Sequence, residues 1–469
     1  MKANGAKEPS NQQPVRGNVV EQRSGVQQTA KTKLSRVGTR SQENPEGTFN
    51  NLGHILSLEY LRECFESLDG NKAIGIDGVT KQEYGKNLQN NLEELLLRIR
   101  NGSYYPRATR TVEIPKCDGT TRPIAVGCLV DKIVQEAVRR ILEAIYEPHF
   151  LPCSHGFRPN RSCHGALVHL NTCLMEPQTG AVLDVDIKSC FPSIPHENLI
   201  EILSKKITDT RFLYLIIKLI RNDGTDESGK VVKNTCGLPQ GSILSPILMN
   251  IFLHESIDKW FLGLTTFGGC HIVRYADDMV ITAKSVAQAE LLLRKLKERL
   301  KTCGLEVHEG KTHVMKAGSN AAQFAEQNKE RMPTFTFLGF LHVWGKSVNR
   351  KTGKIFWRVK RRTCPKRFRA KLKGIAEKFM AGKHKVDFLN WAKQVVNGYL
   401  EYFAVNDNMR RVSQFVREVR RIIRRCLNRR GQRKQVSWEK LNQILEAVNF
   451  PKPRLRHNLF FVPSASRRC

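Results

Sequence analysis

The stretch HIVRYADDMVITA, residues 271–283, decides how the chain is read. Apolar residues lead in at Ile272 and Val273 and lead out at Met279, Val280 and Ile281, with Asp277 and Asp278 side by side between them. Two short apolar runs joined by a carboxylate pair read as a β-hairpin with both aspartates at its tip. A second acidic strand precedes it. In GAVLDVDIKSCF (180–191) side chains alternate, so Asp184 and Asp186 share one face while Leu183, Val185 and Ile187 share the other.

Aspartates between strands are more often turn formers than catalysts. The balance changes if the two acidic strands meet. Carboxylates ~4 Å apart repel by about 4 kcal/mol at an effective dielectric near 20, so the group must take up protons or hold cations. Aspartate oxygens at a solvent-reachable strand end suit Mg²⁺, which keeps several waters and uses carboxylates together with substrate phosphates. A pair of such ions can stabilise both the attacking and the leaving oxygen of a phosphoryl transfer.

The rest of the chain suits a polyanion. Its 469 residues carry 77 Lys+Arg against 44 Asp+Glu, a net charge of +33. Residues 345–469 hold 34 basic and 7 acidic groups, so the last quarter alone carries +27. Self-repulsion on that scale is costly without a negatively charged partner. The thirteen cysteines contain no C-x-x-C pair, which argues against a zinc site or a disulfide framework. No apolar run approaches the ~20 residues of a membrane span, and MKANGAKEPSNQQPVRG (1–17) lacks a signal-peptide core. A nucleic-acid-binding protein of the cytoplasm, with no membrane partner, is the expectation.

Residues 1–48 are rich in Gln, Asn, Ser, Gly and charge, and are expected to be disordered or weakly ordered. TRTVEIPKCDGTTRPIAV (109–126) reads as a hairpin around Asp118-Gly119. Residues 131–150, 212–221, 242–261 and 285–304 read as helices, the third kinked or begun at Pro246 and the last closing at Gly304. Short strands are expected over 333–360, and basic helices after about 361, with loops at Ala381-Gly382, Asn406-Asp407 and Gly431.

Against this reading, the motif YADD (275–278) resembles the Y-x-D-D box of reverse transcriptases. The segments around it are similar, in order, to the bacterial group II intron reverse transcriptase/maturase family. They are VEIPKCDGTTRPI (112–124), CSHGFRPNRSCHGAL (153–167), LDVDIKSCFPSIPH (183–196), GLPQGSILSPILMNIFL (237–253), GLEVHEGKT (304–312) and FTFLGF (335–340). LNWAKQVVNGYLEYF (389–403), then RRCLNRRGQRKQVSWEKL (424–441) through PKPRLRHN (451–458), resemble its maturase region. The resemblance runs from about residue 50 to the end.

The resemblance implies an α+β right-hand polymerase fold, with fingers and palm built on antiparallel sheet over 49–345. An all-α thumb and maturase region over 346–469 would follow. It implies that Asp186, Asp277 and Asp278 hold two Mg²⁺ ions and form the catalytic centre, with Asp184 left structural. Lys116 and Arg122 would clamp the triphosphate of the incoming deoxynucleotide. Phe191 would exclude a 2′-hydroxyl by its bulk. Gln240 would rest against the nucleotide, and Lys311 would protonate the leaving pyrophosphate. Phe337–Phe340 would grip the primer end, with a buried strand as the competing reading. Pro192 and Pro195 stand where the family commonly has acidic residues, so the local turn must differ.

The implied partners are a group II intron RNA, an RNA template, a DNA primer and deoxynucleoside triphosphates. The function implied is RNA-directed DNA polymerisation together with assistance to splicing and retromobility. The expected form lacks the family's C-terminal endonuclease, since no H-N-H pattern or cysteine pair is seen. Two other readings stay open: a domesticated group II-like reverse transcriptase serving phage defence or DNA repair, and a splicing-only RNA-binding maturase.

Overall fold

The computed structural model describes residues 30–115, 121–225, 229–264, 268–349, 351–381, 385–429 and 435–460. Helices and strands are mixed throughout, and the fold is α+β. The strands are β1 (Thr109–Pro115), β2 (Thr121–Val126), β3 (Ala181–Asp186), β4 (Gly224–Thr225), β5 (Val231–Val232), β6 (His271–Tyr275), β7 (Asp278–Ala283), β8 (His313–Lys316), β9 (Phe335–Phe337), β10 (Phe340–Val348) and β11 (Ile355–Thr363). They form three sheets, ordered β2-β1-β4-β5, β6-β7-β3-β8 and β11-β10-β9.

The sheet β6-β7-β3-β8 is antiparallel throughout, and its side chains divide by the period of two. Leu183, Val185, Met279 and Ile281 enter the main core. Val182, Val273 and Val280 enter a second cluster beneath the helix Cys163–Leu174. Both faces are therefore covered, which is why β3 and β7 are apolar nearly end to end. The acidic exceptions are Asp184, Asp186 and Asp278, which lie along the second face where its cover runs out.

Helices back the sheet by amphipathic stripes. The helix Leu129–Tyr146 buries Ile133, Val134, Ala137, Val138, Ile141, Leu142 and Ile145, one continuous face. The helix Val286–Thr302 buries Ala289, Leu292, Leu296 and Leu300. Its N-cap Ser285 accepts from Gln288 N–H, and Gly304 takes φ +78° just past its end. Each such buried leucine or isoleucine stabilises the fold by about 1.5–3 kcal/mol.

Four further helices, Pro365–Ala381, Lys385–Phe403, Met409–Arg429 and Trp438–Ala447, close around a core of their own. There Tyr399 stacks on Phe415 with centroids 3.6 Å apart. None of the described helices is long and apolar enough to cross a membrane.

Two of the domain expectations differ from the structure. Residues 30–43, inside the segment expected to be disordered or weakly ordered, form a helix docked on Leu129–Tyr146. Leu34 and Val37 pack on the main core, and buried Ser41 Oγ donates to the Ile145 carbonyl at 2.6 Å. Two apolar anchors suffice because the partner helix already exists. The boundary at 345/346 falls inside β10, and strand continues to Thr363 before the first basic helix starts at Pro365. The β10–β11 ribbon pairs residue for residue from Phe340–Thr363 to Val348–Ile355, so the chain cannot be divided there.

Candidate active site

The register of β3 against β7 places Asp186 opposite Asp278. Directly opposed residues of antiparallel strands project to the same face. Tyr275 pairs with Asp278, which leaves Ala276 and Asp277 as a two-residue hairpin loop. Asp277 is thus the tip and Asp278 the first residue of the strand. Ala276 takes φ +59°, a left-handed conformation that a two-residue turn normally gives to glycine or asparagine. The strained backbone sits between the tyrosine and the aspartates.

The carboxylates lie within reach of one another's charge. Asp184 is pushed up to about 7, first by burial, then by the charges of Asp278 and Asp186. Asp278 lies open at the strand's end, yet the protein mass around it strips its hydration. That loss, with Asp277 and Asp186 nearby, raises it to about 6. Asp277 is raised by burial and by Asp186, against the relief offered by Arg122 and Arg274. The group is short of positive charge.

Lys311 supplies part of that charge: its Nζ lies 3.2 Å from Asp186 Oδ2. The segment 304–312 is tied alongside the strand end, with His308 N–H donating to the Asp186 carbonyl at 2.7 Å and Asp186 N–H donating to Thr312 Oγ1 at 3.2 Å. Arg122 sits on β2 opposite Ile114, within the field of Asp277. Lys116 and the Asp118-Gly119 turn lie outside the described residues.

The segment 237–241 bridges the hairpin to the strand end. Leu238 N–H donates to the Phe191 carbonyl at 2.7 Å, and Ala125 N–H donates to the Gln240 carbonyl at 2.6 Å. Gly237 at φ +84° is pressed on Pro192, where a Cβ would meet the carbonyl oxygen at 2.3 Å. Phe191 is half-buried and packs on the main core. Gln240 borders a cavity of about 570 Å³ walled by Glu113, Pro123 and Pro192. Glu113 and Pro123 pair across β1–β2, as do Ile114 and Arg122. The cavity therefore lies on the face of the hairpin away from Arg122.

Among the described residues no three His, Cys, Asp or Glu side chains come together closely enough to hold a metal ion unaided. The donor set fits Mg²⁺ on other grounds. All-oxygen ligands, carboxyls raised first by burial and then by one another's charge, and surrounding cations suit an ion completed by substrate phosphates and water rather than by a protein cage.

Three supports were missed in reading the residue pattern. Arg274 is wholly buried behind the turn. Its Nη2 lies 2.5 Å from Asp258 Oδ2, its Nε donates to Asp258 Oδ1 at 2.8 Å, and its Nη1 donates to Asn250 Oδ1 and to the Ala276 carbonyl at 3.0 Å. Asp258 ends a π-helical turn, His254–Asp258, that interrupts the expected single helix and brings the carboxylate inward. Gly156 lies on the turn itself, where a Cβ would stand 2.4 Å from Ala276 N. Finally, Arg367 rests across Gly339, its Nη1 2.8 Å from the place of a Cβ, and its charge reaches Asp278. Leu338 and Gly339 join β9 to β10 with φ +49° and +79°, and Tyr402 Oη donates to the Leu338 carbonyl at 2.8 Å. The one signal in the sequence was Arg274, a charge at an inward position of an apolar strand.

Acidic strand ends facing Arg122, Lys311 and Arg367 are a set suited to phosphate chemistry, the class to which nucleic-acid polymerases belong. Residues 114–342 match the family model described as reverse transcriptase (RNA-dependent DNA polymerase). The chain is 37% identical over 236 residues to the group II intron-encoded protein LtrA of Lactococcus lactis subsp. cremoris, covering 49% of this chain and 38% of that protein. It is 32% identical over 274 residues to protein YkfC of Escherichia coli K12, covering 51% of this chain and 71% of that protein. It is 30% identical over 350 residues to the putative COX1/OXI3 intron 1 protein of Saccharomyces cerevisiae, covering 62% of this chain and 42% of that protein. The chain belongs to the group II intron reverse transcriptase/maturase family. It spans less than half the length of the two intron-encoded relatives.

Proposed function

We propose that this chain is an RNA-directed DNA polymerase that also binds a group II intron RNA, assists its splicing and takes part in its retromobility in the bacterial cytoplasm. The observation that carries the reading is the opposition of Asp186 to Asp278 with Asp277 in the adjoining turn. In this reading residues 49–345 with the β10–β11 ribbon are fingers and palm, and the basic helices after Pro365 are the thumb and maturase region.

Asp186, Asp277 and Asp278 would hold two Mg²⁺ ions, which supply charge stabilisation to the attacking 3′-oxygen and the leaving pyrophosphate. The chain's own residues do the rest. Arg122, joined by Lys116, orients the triphosphate through paired donors and a point charge. Phe191 crowds the sugar 2′ position and so favours deoxynucleotides. Gln240 sits against the incoming nucleotide. Lys311, beside Asp186, holds a proton for the leaving group. The Arg274 network keeps the Ala276–Asp277 loop in place while substrates exchange.

Outside the site, the helix Met409–Arg429 presents Arg410, Arg417, Arg421 and Arg425 around its apolar stripe. Such faces bind RNA backbone strongly and in a salt-dependent way.

Extension of a DNA primer on an RNA template tests the reading. Incorporation of deoxynucleotides with Mg²⁺ is expected, lost in Asp277→Ala. A folded wild-type chain that binds and splices intron RNA without extending primers would leave the splicing-only maturase. An active enzyme with no intron RNA flanking its gene would favour the domesticated form.

A further inference from the structure

The loop that lies on the Tyr275–Asp278 turn presents an aromatic ring to solvent at a cost to the backbone. Phe157 is 55% exposed and takes φ +55°, a left-handed conformation rare for a bulky residue. Its neighbours are immobilised. Arg158 is buried, with Nη2 2.8 Å from Glu147 Oε1 and Nη1 donating to the Leu151 and Ser154 carbonyls at 2.8 Å. Asn250 Nδ2 donates to the Gly156 carbonyl at 2.7 Å, and His155 N–H donates to the Arg274 carbonyl at 2.9 Å. The rotation that would fold the ring inward is therefore closed off, and the strained conformation is held from both sides.

The ring is also specifically placed. Its centroid lies 6.4 Å from that of Tyr275, the residue paired with Asp278. An exposed apolar ring gains nothing from water, and strain of this kind persists only where the surrounding structure imposes it. Beyond the ring, Pro159, Asn160 and Arg161 continue the exposed tip of the loop. Aromatic faces beside a basic surface are the usual means of holding nucleotides without reading their sequence.

We propose that Phe157, with Tyr275 beside it, is a contact platform for the template–primer duplex, its ring resting against the sugars and base edges at the recessed 3′ end. The inference rests on the polymerase reading above and adds a binding residue to it. The backbone strain is the cost of aiming the ring, so stability and binding conflict at this one position. A glycine there accepts φ +55° without penalty and carries no ring.

The test uses the full chain and a labelled RNA–DNA duplex with a recessed 3′ end, without deoxynucleotides and with metal chelated, so that no chemistry contributes. Phe157→Gly is expected to melt at or above the wild-type temperature and to bind the duplex roughly tenfold more weakly. Phe157→Ala keeps the strain and loses the same affinity, while Phe157→Leu retains part of it. Wild-type affinity in both Phe157→Gly and Phe157→Ala would overturn the contact, and a Phe157→Gly protein that melts below wild type would overturn the strain argument. If the wild type extends primers and the variants bind normally, only this inference falls. If the wild type neither binds nor extends the duplex, the polymerase reading falls and takes the contact with it.

Discussion

Arg274 and Asp258, both without solvent exposure, form an ion pair directly behind the hairpin turn that carries Asp277, and the same guanidinium accepts the strain of the turn by donating to the Ala276 carbonyl. A buried pair is weak evidence of stability by itself, but removing one partner strands the other charge in the core. Arg274→Gln and Asp258→Asn are each expected to destabilise the chain by about 3–5 kcal/mol, read as a lower unfolding midpoint in denaturant. Unchanged midpoints would mean that water reaches the pair.

The pH dependence follows from Asp184 and Asp278, raised to about 7 and about 6. Between the ordinary carboxylate range and those values the folded chain holds more protons than the unfolded one, so metal-free stability falls as pH rises through roughly 4 to 7. Asp184→Asn removes the larger share of that loss. Its melting temperature is expected to exceed wild type at pH 8 and to match it near pH 4. Mg²⁺ is expected to protect the wild type more at pH 8 than at pH 5, and equal protection at both would contradict the shared carboxylate charge.

Lys311 is mostly exposed, so its ion pair with Asp186 contributes under about 1 kcal/mol to folding. Lys311→Ala is expected to melt like wild type while its single-turnover extension rate drops by roughly 100-fold. A rate within twofold of wild type would remove the proton-donor role.

Arg367 sits over the Leu338–Gly339 turn with its charge reaching Asp278; under the polymerase reading it would meet a strand phosphate close to the 3′ end. Arg367→Gln is expected to lower the slope of log affinity for duplex against log salt by about one unit. An unchanged slope would place Arg367 off the nucleic acid.

Much of the site was legible because a strand repeats every two residues. Asp184 and Asp186 could be put on one face from LDVDI alone, and β3 and β7 confirm the pairing. What lies further off in the chain could not be read. Gly156, Asn250 and Asp258 reach the turn through tertiary contacts and leave no local pattern. The helix expected over 242–261 breaks into Ser245–Leu253, a π turn and Lys259–Leu262, because burying Asp258 against Arg274 outweighs regular hydrogen bonding. The strand expected to Phe191 stops at Asp186, with Ser189 at φ +47° turning the chain into a short helix. The helix over 30–43 was missed since a polar segment with two apolar anchors looks disordered until its docking surface is known.

The account stands on Asp186 and Asp278 acting as one set with Asp277. Single-turnover primer extension by Asp186→Asn, Asp278→Asn and the double variant measures this directly. Each single change is expected to slow extension by roughly 1000-fold or more, and the double to be little slower than the worse single, as for groups that work as a unit. An Asp186→Asn enzyme that extends at near wild-type rate, or losses that simply multiply, would contradict it.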